Sequence, residues 1–430
     1  MARVGVRRET KSVWERRVAV TPDLARDLVA AGHEVLVERS ERRVFPDAAY
    51  EEAGCALLDD LPPCEVVFGV KEIPDERLLP KAAHLYFAHV IKGQPYNMPM
   101  LRHLLSIGAT LLDYERITDE KSRRLVFFGR FAGLAGMIDA LWTLGQRLEH
   151  EGVTGTAFAA MKPSHAYADL AEALAAVKTL GEQIAKEGVP AELQPLVIAV
   201  TGGGNVSKGV HEVLAQLPLA DVDPEDLATL VSDPEASDRV VYRARFIEQH
   251  LVRPKAGGEV VTQEYFDHPE RFESDFEQYL PTISVLMNGI YWTPACPRVV
   301  RKQDLPLMSR CRVIGDISCD VEGSIEPTML ATEPGDPVFT YDAESDSARM
   351  GVAGTAPVIN AVDILPAELP RDASEAFASA LKPFATAIAG ANYAGTLEES
   401  GLPVEIQRSC VVWRGELTPD YSYLEEHLAE

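Results

Sequence analysis

No two of the six cysteines stand in CxxC spacing, which excludes the usual zinc-knuckle arrangement, and no metal site is expected. Cys55, Cys64, Cys296, Cys311, Cys319 and Cys410 are scattered along the chain. They read as reduced, mostly buried thiols of a cytoplasmic enzyme. No stretch approaches the ~18 uninterrupted apolar residues of a membrane helix. The opening MARVGVRRETK is charged and lacks the apolar core of a signal peptide, so no membrane partner is expected. Positive charge is also scarce: 41 Lys and Arg against 66 Asp and Glu leave a net charge of −25. A surface that acidic repels nucleic acid. It does not repel a small acidic substrate from a locally basic site, and residues 1–50 carry ten Lys/Arg against eight Asp/Glu.

What is present is ordinary for a globular enzyme. Hydrophobic residues make up 46% and charged residues 25% of the 430, which excludes disordered and fibrous classes. At roughly 150 residues per domain the length fits about three domains, or two larger ones. Strands and helices alternate. Val4 and Val6 mark a first strand ending at Arg7. Thr21-Pro22 caps and opens a helix whose apolar face is Leu24, Leu28 and Ala31, with Gly32 as its stop. Segments 34–38, 65–70, 85–88 and 109–112 are short, apolar strands. A long helix is expected over 165–188, and LVIAVT (196–201) is a strongly apolar strand opening a second unit. A last helix lies near 372–388. This alternation predicts an α/β protein with parallel sheets.

Two places carry chemistry. Gly202, Gly204 and Ser207 lie between the strand 196–201 and a helix with Val206, Val210, Val213, Leu214 and Leu217 on one face. This is GxGxxG with serine in the third place. Such a loop lets the backbone and a helix N-terminus approach a pyrophosphate, which implies a dinucleotide. The next strand is expected to end within LADVD (219–223), setting Asp221 or Asp223 near the adenosine ribose. Arg239, Arg243 and Arg245 lie downstream, where one could meet a 2′-phosphate instead. The second place is a sheet edge. Four successive strands end in Arg7, Lys71, His89 and Asp113-Tyr114-Glu115, and ligands gather beyond the carboxyl ends of such strands.

A family resemblance appears in these residues. RRETKSVWERRVAVTP (7–22), GVKEIP (69–74), FAH (87–89), LLDYE (111–115) and FGRFAGLAGM (128–137) resemble the first domain of the alanine dehydrogenase and transhydrogenase superfamily. TGGGNVSKG (201–209), HPERF (268–272), NGIYW (288–292), DISCDVEGSIE (316–326) and LPRDAS (369–374) resemble the lysine–ketoglutarate reductase half of the bifunctional aminoadipic semialdehyde synthases, a lysine-forming saccharopine dehydrogenase. The resemblance covers that half alone, so no saccharopine-oxidising counterpart is expected within these 430 residues.

The resemblance implies two Rossmann-like domains with parallel sheets, joined by long helices, with the active site in the cleft between them. It implies a discontinuous substrate domain, 1–134 plus 355–430, and a dinucleotide domain, 135–354. It implies Lys71 and His89 as the proton-transfer pair, and Arg7, Gln94, Arg124 and Phe128 around the substrate. Arg123, Gly204, Asn205, Asp316 and Ser318 fall on cofactor positions. The implied reaction condenses L-lysine with 2-oxoglutarate and reduces the imine to saccharopine with NAD(P)H, leaning to NADP. Alanine dehydrogenase-like chemistry, another opine-forming reaction and a non-catalytic dinucleotide-binding regulator are the alternatives. The sequence leaves a homo-oligomer open.

Overall fold

The computed structural model describes residues 1–428 and divides into two compact units, Met1–Phe128 with Pro370–Glu430 and Gly129–Leu369. In the first unit the strands are β1 (Arg3–Val6), β2 (Glu34–Glu38), β3 (Ala56–Leu58), β4 (Val66–Phe68), β5 (Ala83–Tyr86) and β6 (Thr110–Asp113). Helices α1 (Pro22–Ala30), α2 (Asp47–Glu52) and α3 (Met98–Ser106) connect them. The start of α1 is as the sequence implies: Thr21 Oγ1 accepts from Leu24 N–H, and Pro22 occupies the first turn, where its missing N–H costs nothing. Gly32, at φ 91°, lets the chain leave the helix.

The second unit contains α4 (Gly129–His150), α5 (Leu170–Glu187), β7 (Leu196–Thr201), α6 (Asn205–Leu214), β8 (Leu219–Val222) and β9 (Val241–Phe246). A small hairpin of β10 (Val252–Pro254) and β11 (Phe272–Ser274) follows. The sheet then takes in β12 (Val285–Asn288), β13 (Val313–Asp316), β14 (Val338–Asp342), β15 (Ser347–Met350) and β16 (Val358–Asn360). Helix α5 begins later than the expected 165, because Ser164–Ala166 forms a separate 3₁₀ turn after Pro163 and Asp169 then caps the helix through Glu172 N–H. All six residues of β7 are buried, the pattern of a strand covered on both faces.

The long helix Pro370–Gly390 returns the chain to the first unit, which ends with β17 (Cys410–Trp413) and β18 (Glu416–Leu417). The return comes later than the expected 355, because Val358–Asn360 pairs in parallel with β13 inside the second sheet. The first unit likewise ends before 134, where Gly129 starts α4. Each sheet has eight strands, in the orders β18-β17-β6-β5-β4-β1-β2-β3 and β15-β14-β16-β13-β12-β7-β9-β8. Six neighbouring strands run parallel in each; β17–β18 and β14–β15 add antiparallel hairpins. A hairpin needs only a tight turn, whereas another parallel strand needs a whole crossover. Among the described residues no helix is long and apolar enough to cross a membrane.

Candidate active site

The strands β1, β4, β5 and β6 are direct neighbours in the first sheet, all parallel, so their carboxyl ends share one edge. Arg7, Lys71, His89 and Tyr114-Glu115 follow those ends. Glu72, next to Lys71 in the chain, is the hub. His89 Nδ1 lies 2.6 Å from its Oε1, and Lys11 Nζ donates to its Oε2 at 2.7 Å. Asn97 Nδ2 reaches the same Oε1 at 3.4 Å. Burial opposes ionisation of Glu72, but the hydrogen bonds and charges of His89 and Lys11 outweigh it and hold the carboxyl down at about 2. An ionised Glu72 accepts, so His89 carries its proton on Nδ1 toward Glu72 and presents Nε2. The His89 backbone sits at φ 50°, a strained position for a non-glycine residue. Asn97 Nδ2 braces it by donating to the carbonyls of Ala88 (2.9 Å) and His89 (3.3 Å).

The loop carrying Lys71 is fixed by Glu9, whose carboxylate accepts from Val70 N–H (2.7 Å) and Lys71 N–H (3.0 Å). At the neighbouring strand end, burial pushes the Asp113 carboxyl up to about 7, while the Glu115 N–H it accepts from pulls the other way. Beside His89 is an aromatic group: Phe87 lies 6.4 Å from its ring, and Phe128 is 5.9 Å from Phe87 and stacked on Phe377 at 4.5 Å.

The arginines are distributed differently from expectation. Arg7 is buried along Gly69, with no hydrogen-bond partner for Nε and Nη2 among the described residues. Arg17, unmarked in the sequence, has its guanidinium 4.3 Å above the Phe128 ring and is paired with Glu15 at 2.6 Å, both side chains buried. Arg124 pairs with Glu115. Arg123 is exposed and paired with Asp119 at 2.7 Å. Gln94 accepts from Lys92 N–H through Oε1 at 3.1 Å.

In the second unit, Gly202 has φ 84° and passes close to Gly289, while a Cβ placed on Gly203 or Gly204 would meet nothing within 4 Å. The loop is therefore open above its backbone, and Asn205 starts α6. This cradle fits a dinucleotide pyrophosphate: small residues give room, and the first turn of α6 supplies N–H donors. Ser207 is buried and donates to Thr201 O at 3.0 Å, tying α6 to the end of β7. A different close approach lies on the other side of α6. A Cβ on Gly209 would stand 2.1 Å from Arg130 O, and one on Gly133 would stand 1.9 Å from Val206 O, so α6 and α4 meet backbone to backbone.

Asp316 is fully buried. Its Oδ1 accepts from Asn288 Nδ2 (2.9 Å) and Ser318 Oγ (2.7 Å), and its Oδ2 from Thr328 Oγ1 (2.6 Å). Burial raises its pKa against those bonds. Asn288 also accepts from Thr201 Oγ1 at 2.9 Å, so one network ties the ends of β7, β12 and β13.

Asp221 is not on the strand beside β7. β8 is the edge strand, and β9 runs between it and β7. Asp221 is instead forked by Arg243, Nε at 2.7 Å and Nη2 at 3.0 Å, with Arg245 at 3.6 Å. Asp221 thus lies one strand further from β7 than its sequence spacing implies. Asp223 is likewise on the turn after the edge strand.

A model of the alanine dehydrogenase/PNT N-terminal domain matches residues 5–135, and one of the alanine dehydrogenase/PNT C-terminal domain matches residues 171–420. The alpha-aminoadipic semialdehyde synthase of Arabidopsis thaliana is 36% identical over 446 residues, covering 98% of this chain and 41% of the relative. The mitochondrial one of Mus musculus is 32% identical over 442 residues, covering 98% and 47%. This chain thus spans about half the length of these curated relatives. The saccharopine dehydrogenase (NAD(+), L-lysine-forming) of Neurospora crassa is 29% identical over 388 residues, covering 88% of this chain and 89% of the relative. Among solved structures, an L-alanine dehydrogenase superposes with a TM-score of 0.62 at 18% identity over 99% of both chains, a likeness of fold.

Proposed function

Because this chain belongs to the alanine dehydrogenase/PNT family, we propose that it is an NAD(P)-dependent oxidoreductase joining L-lysine to 2-oxoglutarate and reducing the imine to saccharopine. The observation that carries the reading is His89, fixed by Glu72 on one strand end, with Lys71 on the next. Condensation needs a neutral amine, and the lysine ε-amine, with a pKa near ~10, is mostly protonated at neutral pH. Lys71 takes that proton. The hydroxyl of the carbinolamine must then leave as water, and His89 in its imidazolium form, with Nδ1–H held by Glu72, donates the Nε2 proton to it. Glu72 keeps the ring oriented and compensates the imidazolium charge.

The carboxylates of the substrates meet the arginines. The partnerless Nε and Nη2 of Arg7 suit an anion, and Arg17 sets a second guanidinium over Phe128. Arg124 and Gln94 flank the same unit, and Phe87 and Phe128 cover the alkyl chain. Gly202, Gly203 and Gly204 with Asn205 would hold the pyrophosphate of a dinucleotide, which would supply the hydride. Asp316 and Ser318 keep the neighbouring strand ends in register.

The test is NAD(P)H oxidation by the purified chain with 2-oxoglutarate against a panel of amines. Turnover with lysine alone among them is expected. Equal rates with ammonia and pyruvate would replace the reading with alanine dehydrogenation.

A further inference from the structure

In a dinucleotide-binding βαβ unit, the carboxylate that receives the adenosine ribose ends the strand lying directly beside the glycine-rich strand. Asp221 has the sequence spacing for that role, about twenty residues beyond the loop, but not the place. β9 pairs with β7 along six residues, from Leu196↔Val241 to Thr201↔Phe246, and pushes β8 to the sheet edge. The segment containing β8 and the helical turns Pro224–Ser232 is thus extra chain between α6 and the true neighbour of β7. That neighbour ends at Phe246, whose carbonyl accepts from Gly202 N–H at 2.9 Å. The pairing stops there; Ile247 follows and Glu248 opens a short helix, Glu248–Leu251, two residues beyond the end of the strand beside the glycine loop.

The occupancy of the two carboxylates agrees with this order. Asp221 is saturated by Arg243 and Arg245, which in turn spend their charge on it. Glu248 is half-buried, and among the described residues its carboxylate makes no hydrogen bond or ion pair.

Resting on the dinucleotide reading above, we infer that Glu248, and not Asp221, receives the ribose 2′-hydroxyl, and that this chain prefers NAD(H) to NADP(H). A hydroxyl donates to the carboxylate in a charge-assisted hydrogen bond. A 2′-phosphate has no proton to give there and sets a dianion against an anion. The lean to NADP that the resemblance implied is thereby reversed.

The test is titration of the purified full chain with NADH and with NADPH, followed by nicotinamide fluorescence and calorimetry without substrate. Wild type, Glu248→Ser, Glu248→Gln and Asp221→Asn are compared after their melting curves establish that they fold. Wild type is expected to bind NADH about ten- to a hundredfold more tightly than NADPH, the range of one hydrogen bond to a charged group. Glu248→Ser loses most of that preference, Glu248→Gln part of it, and Asp221→Asn keeps the NADH affinity of wild type. Parity or an NADPH preference in wild type overturns the inference while leaving the dinucleotide reading standing. So does a loss of NADH affinity in Asp221→Asn but not in the Glu248 variants. Binding of neither dinucleotide overturns both.

Discussion

His89 Nδ1 lies 2.6 Å from Glu72 Oε1, and this contact selects which ring nitrogen is free for chemistry. His89→Ala is expected to lower kcat by about 10²–10⁴, the range of one acid–base group, with NADH affinity unchanged. Glu72→Gln should lower kcat less, because the imidazole remains but loses its anionic partner. Steady-state kinetics with separate dinucleotide titrations check this; equal kcat in wild type and His89→Ala removes the histidine from the mechanism.

Two glycines that look alike in sequence should behave in opposite ways. Gly209→Ala forces a Cβ to 2.1 Å from Arg130 O and is expected to cost about 1–3 kcal/mol of stability. Gly203→Ala meets nothing within 4 Å and should leave stability within about 0.5 kcal/mol, while weakening dinucleotide binding by filling the cradle. Urea unfolding and fluorescence titration of both variants separate the two effects.

The buried Arg17–Glu15 pair supports a third expectation. Removing one partner leaves an uncompensated charge, so Arg17→Ala should lose about 3–5 kcal/mol of stability. The double variant Arg17→Met/Glu15→Gln should recover part of it, and denaturant midpoints report both. If Arg17 also holds a substrate carboxylate, the double variant keeps its fold but shows a raised KM for 2-oxoglutarate.

The fourth expectation concerns pH. Burial pushes Glu368 up to about 7. It accepts from the His165 backbone N–H at 3.3 Å, and Asp139, also buried and raised by burial, is its acidic neighbour. The folded state retains a proton that the unfolded chain releases near 4.5. Stability tied to this group is thus full below about pH 4.5 and declines as pH rises to about 7. Glu368→Gln should therefore stabilise the protein at pH 8, on the order of 2 kcal/mol, and change little at pH 4.5. A gain of the same size at both values would trace the effect to packing.

The strands, their parallel order of succession and the glycine loop were legible in the sequence because they are local. β7 and β2 follow from apolar runs, α1 from Thr21-Pro22, and Lys71 and His89 from their places just past strands. Glu72 was in view beside Lys71, yet nothing local distinguishes a carboxylate that will be buried against a histidine seventeen residues on. Arg17 was harder still, because its partner Phe128 comes from a distant segment. The close contact of α6 with α4 through Gly209 and Gly133 was not marked in the sequence, because the two helices come from distant segments. Sheet order went furthest beyond local sequence. Spacing after the glycine loop pointed to Asp221, but strand pairing depends on which chain segments bury one another, and β9 covers β7 more completely than the four-residue, half-exposed β8 could.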